Sequence, residues 1–166
     1  FFVDADVVVP PDAIERVIGY FTREPDMDAL FGSYDDQPAE ANFLSQYRNL
    51  LHHYVHQHGR EDASTFWGAC GAIRREVFLS AGGFDERYAK PSVEDIELGY
   101  RLRKAGARIK VCNSLQVKHL KRWNIVSMLQ ADAPSSNALQ TSTRRLMFQA
   151  AMYSSSASKG AWRCLP

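Results

Sequence analysis

The chain has 166 residues, 45% hydrophobic and 23% charged, an ordinary balance for one globular domain with a sizeable core. Twenty basic against nineteen acidic residues leave a net charge of +1, which argues against a nucleic-acid partner, since such proteins carry a basic excess. Cys70, Cys112 and Cys164 are scattered without a CxxC pair, which speaks against a disulfide framework or zinc–thiolate site and for a reducing compartment.

The sequence opens on Phe1, inside an apolar run and without an initiator Met, so a longer parent protein is expected. Residues 1–9 (FFVDADVVV) read as one buried strand. Pro10-Pro11-Asp12 punctuates it. Ile14, Val17, Ile18 and Phe21 then recur at helical spacing and predict an amphipathic helix over about 12–23. Glu24-Pro25-Asp26 ends it, and 28–36 (DALFGSYDD) reads as a short strand with a polar loop. A longer helix is expected over 39–58, with Phe43, Tyr47, Leu50, Leu51 and Tyr54 sharing one face. Residues 64–78 (STFWGACGAIRREVF) predict a small-residue strand passing into a short helix, and 81–93 a Gly-, Pro- and charge-rich loop. Ser92 can cap a helix over about 93–105, with Asp95 in the capping-box position and Gly106 as its stop. Segments 107–113 and 115–119 read as strand pieces, and 120–132 as helix. Strands alternating with helices over 1–132 predict an α/β fold. Residues 133–166 are Ser-rich with weak periodicity, so a poorly ordered tail, or one that is not the native continuation, is expected there. No apolar run approaches the ~20 residues of a membrane span, and no signal peptide is recognisable.

The chemistry gathers around two acidic pairs. Asp4 and Asp6 are two residues apart, which on an extended backbone aims both carboxylates to one side. Two such anions repel unless a cation lies between them. Hard oxygen ligands at a strand's carboxyl end suit Mg²⁺ or Mn²⁺ carrying substrate phosphates. The alternative is a pair of solvated turn aspartates, with Asp12 capping the next helix. Glu94-Asp95 opens a helix, where the dipole favours carboxylates and a purely structural pair would also be at home. Around Trp67, the small residues Gly68, Ala69 and Gly71 leave room for a ligand against an aromatic face, or else pack a tight core strand.

Taken together, FVDADVVVPPDAI, FWGACGAIRREVFLSAGGFDE, SVEDIELGYRLRKAG and VKHLKRW resemble, in order, the motifs of inverting family 2 glycosyltransferases. That resemblance implies a partial GT-A fold, Rossmann-like, lacking its N-terminal βαβ units, with 1–132 as the C-terminal portion of the catalytic domain. It implies a metal-dependent transferase moving a sugar from a nucleotide-diphospho-sugar, a UDP- or GDP-sugar, to an acceptor hydroxyl on a sugar or lipid-linked molecule. Asp4 and Asp6 would then hold Mg²⁺ or Mn²⁺ and the donor, with His119 completing the metal site. Asp95 would be the general base. Lys121 and Arg122 would meet the diphosphate or else form a solvated or membrane-facing basic edge, and Trp67, Gly68 and Glu94 would meet the acceptor. His119 stands where processive synthases carry Gln in Gln-x-x-Arg-Trp, which argues against a processive polymerase. The expected location is the cytoplasm or the cytoplasmic face of a membrane, with membrane association through segments this chain lacks.

Other readings stay open on the residues alone. Asp4, Asp6, Glu94 and Asp95 would also serve a two-metal phosphoryl transferase or nuclease. His52 and His56, four apart on a helix, have zinc-ligand spacing without an HExxH pattern. A non-catalytic interaction fragment is the third reading.

Overall fold

A computed structural model describes residues 1–88 and 93–132, with side chains through Leu129. The expected Ser92 cap and the 133–166 tail lie outside the described residues. The elements are β1 (Phe2–Val3), β2 (Val7–Val8), α1 (Ala13–Arg23), β3 (Ala29–Tyr34), α2 (Phe43–His58), β4 (Cys70–Ile73), α3 (Arg75–Ser80), α4 (Glu94–Lys104), β5 (Ile109–His119) and α5 (Ile125–Asp132). They form a five-stranded mixed sheet in the order β1-β4-β3-β5-β2. β3 and β5 run parallel, and the other pairs are antiparallel. This is the expected α/β class, consistent with a partial GT-A fold.

β3 is the central strand, and all six of its residues are buried. Its alternation feeds two cores. Leu30 and Tyr34 join Ala13 and Val17 of α1, with Met27, Leu115 and Val117. Ala29 and Phe31 join Phe66 with Leu98 and Leu102 of α4. Between them sits Gly32, where an added Cβ would lie 2.2 Å from the Leu115 carbonyl oxygen. That close approach marks an irregularity in register: Phe31 pairs with Val111, but Ser33 pairs with Gln116. The extra β5 residues bulge out there, and such bulges re-aim the strand beyond them. Segments 107–113 and 115–119, expected as separate pieces, are therefore one eleven-residue strand carrying a bulge.

The expected strand over 1–9 is interrupted. β1 and β2 are two residues each, separated by a turn in which Val7 N–H donates to the Asp4 carbonyl at 3.2 Å. β1 lies on β4 and β2 on β5, at opposite edges of the sheet. The run is partly exposed, not buried. The cause is the pair of carboxylates, which a paired, buried strand interior cannot solvate.

Helix α1 matches its expected span, but its face is rotated. Ala13 and Val17 are buried, while Ile14 and Ile18 remain 64% and 59% exposed. Asp12 takes the N-cap position without a capping hydrogen bond and pairs with Arg16 at 2.8 Å instead. α2 begins at Phe43, later than expected, because Asn42 caps it by accepting from Ser45 N–H. Its buried side is polar. Trp123 N–H donates to Ser45 Oγ at 2.8 Å, Asn49 donates to the Asp35 carbonyl at 3.0 Å, His53 to that of Tyr34 at 2.7 Å, and Gln57 to that of Asn113 at 3.0 Å. These residues recur every fourth position, so they form one stripe along the helix. Backbone groups left at the ends of β3 and around the β5 bulge need partners, and this stripe supplies them. The Phe43, Tyr47, Leu50 and Tyr54 face consequently points to solvent. α4 ends as expected at Gly106, whose φ is +88°. Gly106 N–H donates to Arg103 O and Ala107 N–H to Leu102 O, a Schellman stop. α5 starts only at Ile125; residues 120–124, expected as its first turns, are not helical. Among the described residues no helix is long and apolar enough to cross a membrane.

Candidate active site

The turn between β1 and β2 places Asp4 and Asp6 at one end of the sheet. It is held from both sides: Asp4 N–H donates to Ala69 O at 3.2 Å, and Leu120 N–H to Asp6 O at 2.9 Å. Val7 pairs with His119 in register. A turn between two short strands, and not the extended backbone expected from the spacing, thus brings the carboxylates to the end of β5. The Asp6 carboxylate lies 3.6 Å from His119 Nε2. Burial, then the charges of Asp6 and Glu94, raise the Asp4 carboxyl above its ordinary range, and Lys121 opposes them.

His119 is 8% exposed, and its imidazole stacks on the Tyr34 ring with centroids 4.3 Å apart and planes 6° from parallel. Burial lowers its pKa, against the pull of Asp6. Burial also raises that of Tyr34, with Asp6 and Asp4 adding to it. Trp67 meets the same Tyr34 ring edge-on at 4.8 Å and touches His56, also at 4.8 Å.

On the far side, α4 presents Glu94 and Asp95 in its first turn. Asp95 accepts from Gly68 N–H at 3.0 Å and from Ile96 N–H at 2.7 Å. Burial pushes its carboxyl up to about 6, against those hydrogen bonds and with help from Glu94 and Asp4. The helix dipole was expected to lower this group, and desolvation outweighs it. The result is a buried carboxyl that gives up its proton only near pH 6.

Asp4, Asp6, His119, Glu94, Asp95, Trp67 and Gly68 therefore come together around one end of the sheet. Gly68, expected at the acceptor, serves here as the backbone donor that holds Asp95. Lys121 acts on Asp4 and lies over the Trp123 ring at 4.3 Å. Arg122 turns away to Glu40 at 3.8 Å. Tyr34 was missed by sequence reading. Its signal was its place as the last residue of a buried strand, immediately before Asp35-Asp36.

Among the described residues no group of three or more His, Cys, Asp or Glu side chains converges on one point. Asp6 and His119 offer one oxygen and one nitrogen, with Asp4 close by. Mg²⁺ or Mn²⁺ at such a pair would have to take the rest of its shell from waters and substrate phosphates. The pair does not make a closed zinc site. His52 and His56 stand 6.1 Å apart by ring centroid and at 77°, and burial depresses them to about 4 and about 3. They are packed side chains of the α2 wall.

The α/β sheet thus ends in an acidic turn, a histidine and a buried carboxylate. The chain belongs to glycosyltransferase like family 2, which it matches over residues 1–147. It is 52% identical over 46 residues to the O-antigen biosynthesis protein RfbC of Myxococcus xanthus, covering 28% of this chain and 4% of that protein. It is 46% identical over 54 residues to the N-acetylglucosaminyl-diphospho-decaprenol L-rhamnosyltransferase of Mycobacterium tuberculosis, covering 32% of this chain and 17% of that protein. The chain thus spans only a small part of either relative.

Proposed function

We propose that this chain carries the catalytic part of an inverting, metal-dependent glycosyltransferase that uses a nucleotide-diphospho-sugar donor and a lipid-linked sugar acceptor. The observation that carries the reading is Asp95: a carboxyl pushed up to about 6 and coupled by charge to Asp4 of the acidic turn. That coupling supports a base and an ion-binding turn sharing one site. Asp4, Asp6 and His119 would hold Mg²⁺ or Mn²⁺, and the ion would neutralise charge building on the departing diphosphate. Lys121 adds a positive charge on the same side. Asp95 takes the proton from the acceptor hydroxyl as that oxygen attacks the anomeric carbon and the carbon–oxygen bond to the diphosphate breaks. A single displacement inverts the anomeric centre and needs no covalent carboxylate intermediate. Gly68 N–H keeps the base in place between turnovers. The lipid-linked acceptor is supported by the relative that acts on a diphospho-decaprenol. UDP- and GDP-sugars are the first donors to try, and a rhamnosyl donor the next.

The test is transfer from each donor to N-acetylglucosaminyl-diphospho-decaprenol in the protein that carries this chain, with Asp95→Asn and Glu94→Gln beside the wild type. Asp95→Asn should retain donor binding and lose transfer by about 10²–10⁴. Transfer by Asp95→Asn at the wild-type rate would refute the assignment.

A further inference from the structure

We infer that Tyr34 is a positioning residue: its ring sets the plane of the His119 imidazole so that Nε2 faces Asp6, and α2 holds Tyr34 in place to do so. A histidine at a strand end has freedom about two side-chain torsions, and only one combination aims Nε2 into the acidic turn. Asp6 attracts the ring from 3.6 Å, a long contact that does not by itself fix the ring plane. The stack on Tyr34 fixes that plane, since the two rings are 6° from parallel at 4.3 Å, and within it the Asp6 carboxylate favours the flip that turns Nε2 toward it. Tyr34 is itself immobilised. It is 7% exposed, Trp67 meets it edge-on at 4.8 Å, and His52 packs against it at 5.7 Å. Its carbonyl accepts from His53 at 2.7 Å, and the next carbonyl, of Asp35, accepts from Asn49 at 3.0 Å. β3 and β5 are in register here, Tyr34 against Val117, with the Gly32 bulge just before. This gives the inverted polarity of α2 a functional reading. Its buried polar stripe fixes the last residue of β3, and that residue orients the candidate metal ligand. Partners behind a ligand typically change metal affinity by about 10–100-fold when lost.

The part of this inference that concerns Mn²⁺ rests on the metal role proposed above; the ring orientation does not. The experiment uses the chain with ¹⁵N-labelled histidine and Mn²⁺ alone as the probe, in wild type, Tyr34→Phe, Tyr34→Leu, His53→Ala and His119→Gln. Imidazole ¹⁵N shifts of His119 report its contact with Asp6 in the metal-free protein, and water-proton relaxation reports Mn²⁺ affinity. Tyr34→Phe keeps the ring and should match wild type in both. Tyr34→Leu should move and broaden the His119 signals and weaken Mn²⁺ binding about tenfold or more. His53→Ala should shift the same signals, and it decides the matter should Tyr34→Leu fail to fold. Unchanged His119 signals in Tyr34→Leu or in His53→Ala would overturn the inference, as would a Tyr34→Phe protein as impaired as Tyr34→Leu. Equal Mn²⁺ behaviour of wild type and His119→Gln would instead refute the metal role, while the ¹⁵N shifts still decide the role of Tyr34.

Discussion

Replacing Asp95 by Asn should change the pH dependence of folding stability, and the size of the change follows from the site. The carboxyl rises from 3.8 to about 6 on folding because it is buried. A raised carboxyl binds its proton more tightly when folded, so its contribution to stability is complete below the unfolded value of 3.8. That contribution is lost as pH rises through about 6. The difference of roughly two units corresponds to about 3 kcal/mol that the ionised carboxylate costs the folded chain near neutrality. Asn has nearly the same shape and cannot ionise. It keeps one oxygen acceptor for Gly68 or Ile96 N–H and loses the other, a pH-independent cost of about 1 kcal/mol. The variant should therefore be slightly less stable than wild type at pH 4 and more stable at pH 7, by up to about 2 kcal/mol. Urea unfolding at fixed ionic strength between pH 4 and 8 measures the difference directly. A difference that stays constant within about 0.5 kcal/mol over that range would show that burial does not perturb Asp95. The same pKa predicts that sugar transfer by the wild type falls as pH drops through about 6.

Asp6→Asn, measured by calorimetry, should abolish the Mn²⁺ dependence of donor binding; unchanged metal-dependent affinity would count against the acidic turn as the ion site. Gly99→Ala should destabilise the chain by at least about 2 kcal/mol in urea, because its Cβ would stand 2.1 Å from Phe66 N, whereas Gly82→Ala, in open space at φ +80°, should cost only about 1 kcal/mol. Phe43→Ser should shift stability by less than about 0.5 kcal/mol, since Phe43 is 77% exposed. Asn49→Leu should cost about 1–3 kcal/mol by stranding the Asp35 carbonyl. The reverse order for these last two would mean that α2 buries its apolar face after all.

The α/β class, the span of α1, the stop at Gly106 and the order of the motifs were legible because each rests on local rules: periodicity, helix-ending glycine and alternation of elements. The misjudged features are all decided by distant contacts. The Phe43, Tyr47, Leu50 and Tyr54 stripe shares one helix face as expected, yet it is the polar stripe that meets β3 and β5. No window of sequence reveals that Tyr34 O and Asp35 O accept from α2, so nothing local says that Asn49 and His53 must turn inward. The break in the opening strand was hidden for a related reason. Asp4 and Asp6 stand out in the sequence, but an alternating pattern cannot distinguish a strand that carries two carboxylates from two short strands that make room for them.

The reversed sign at Asp95 has the same origin, and it shows how the site acquires its chemistry. Sequence places Asp95 in the first turn of a helix, where the dipole stabilises negative charge by about 0.3–1 kcal/mol. Only the fold lays the Trp67–Gly68 segment over that turn and shuts out water, an effect that reaches several pKa units for a fully buried acid. Gly99 allows this closeness, since α4 can approach the Thr65–Phe66 backbone only where a side chain is missing. A glycine on the helix that carries Asp95 thus bears on that carboxyl's pKa without touching it. The acidic turn depends on the fold in a similar way. Gly32 lets Leu115 bulge past β3, the bulge re-aims the end of β5, and His119 arrives opposite Asp6. In both halves of the site the reactive side chains are conspicuous in the sequence, while what sets their position and proton affinity is the small residue that lets two backbones meet.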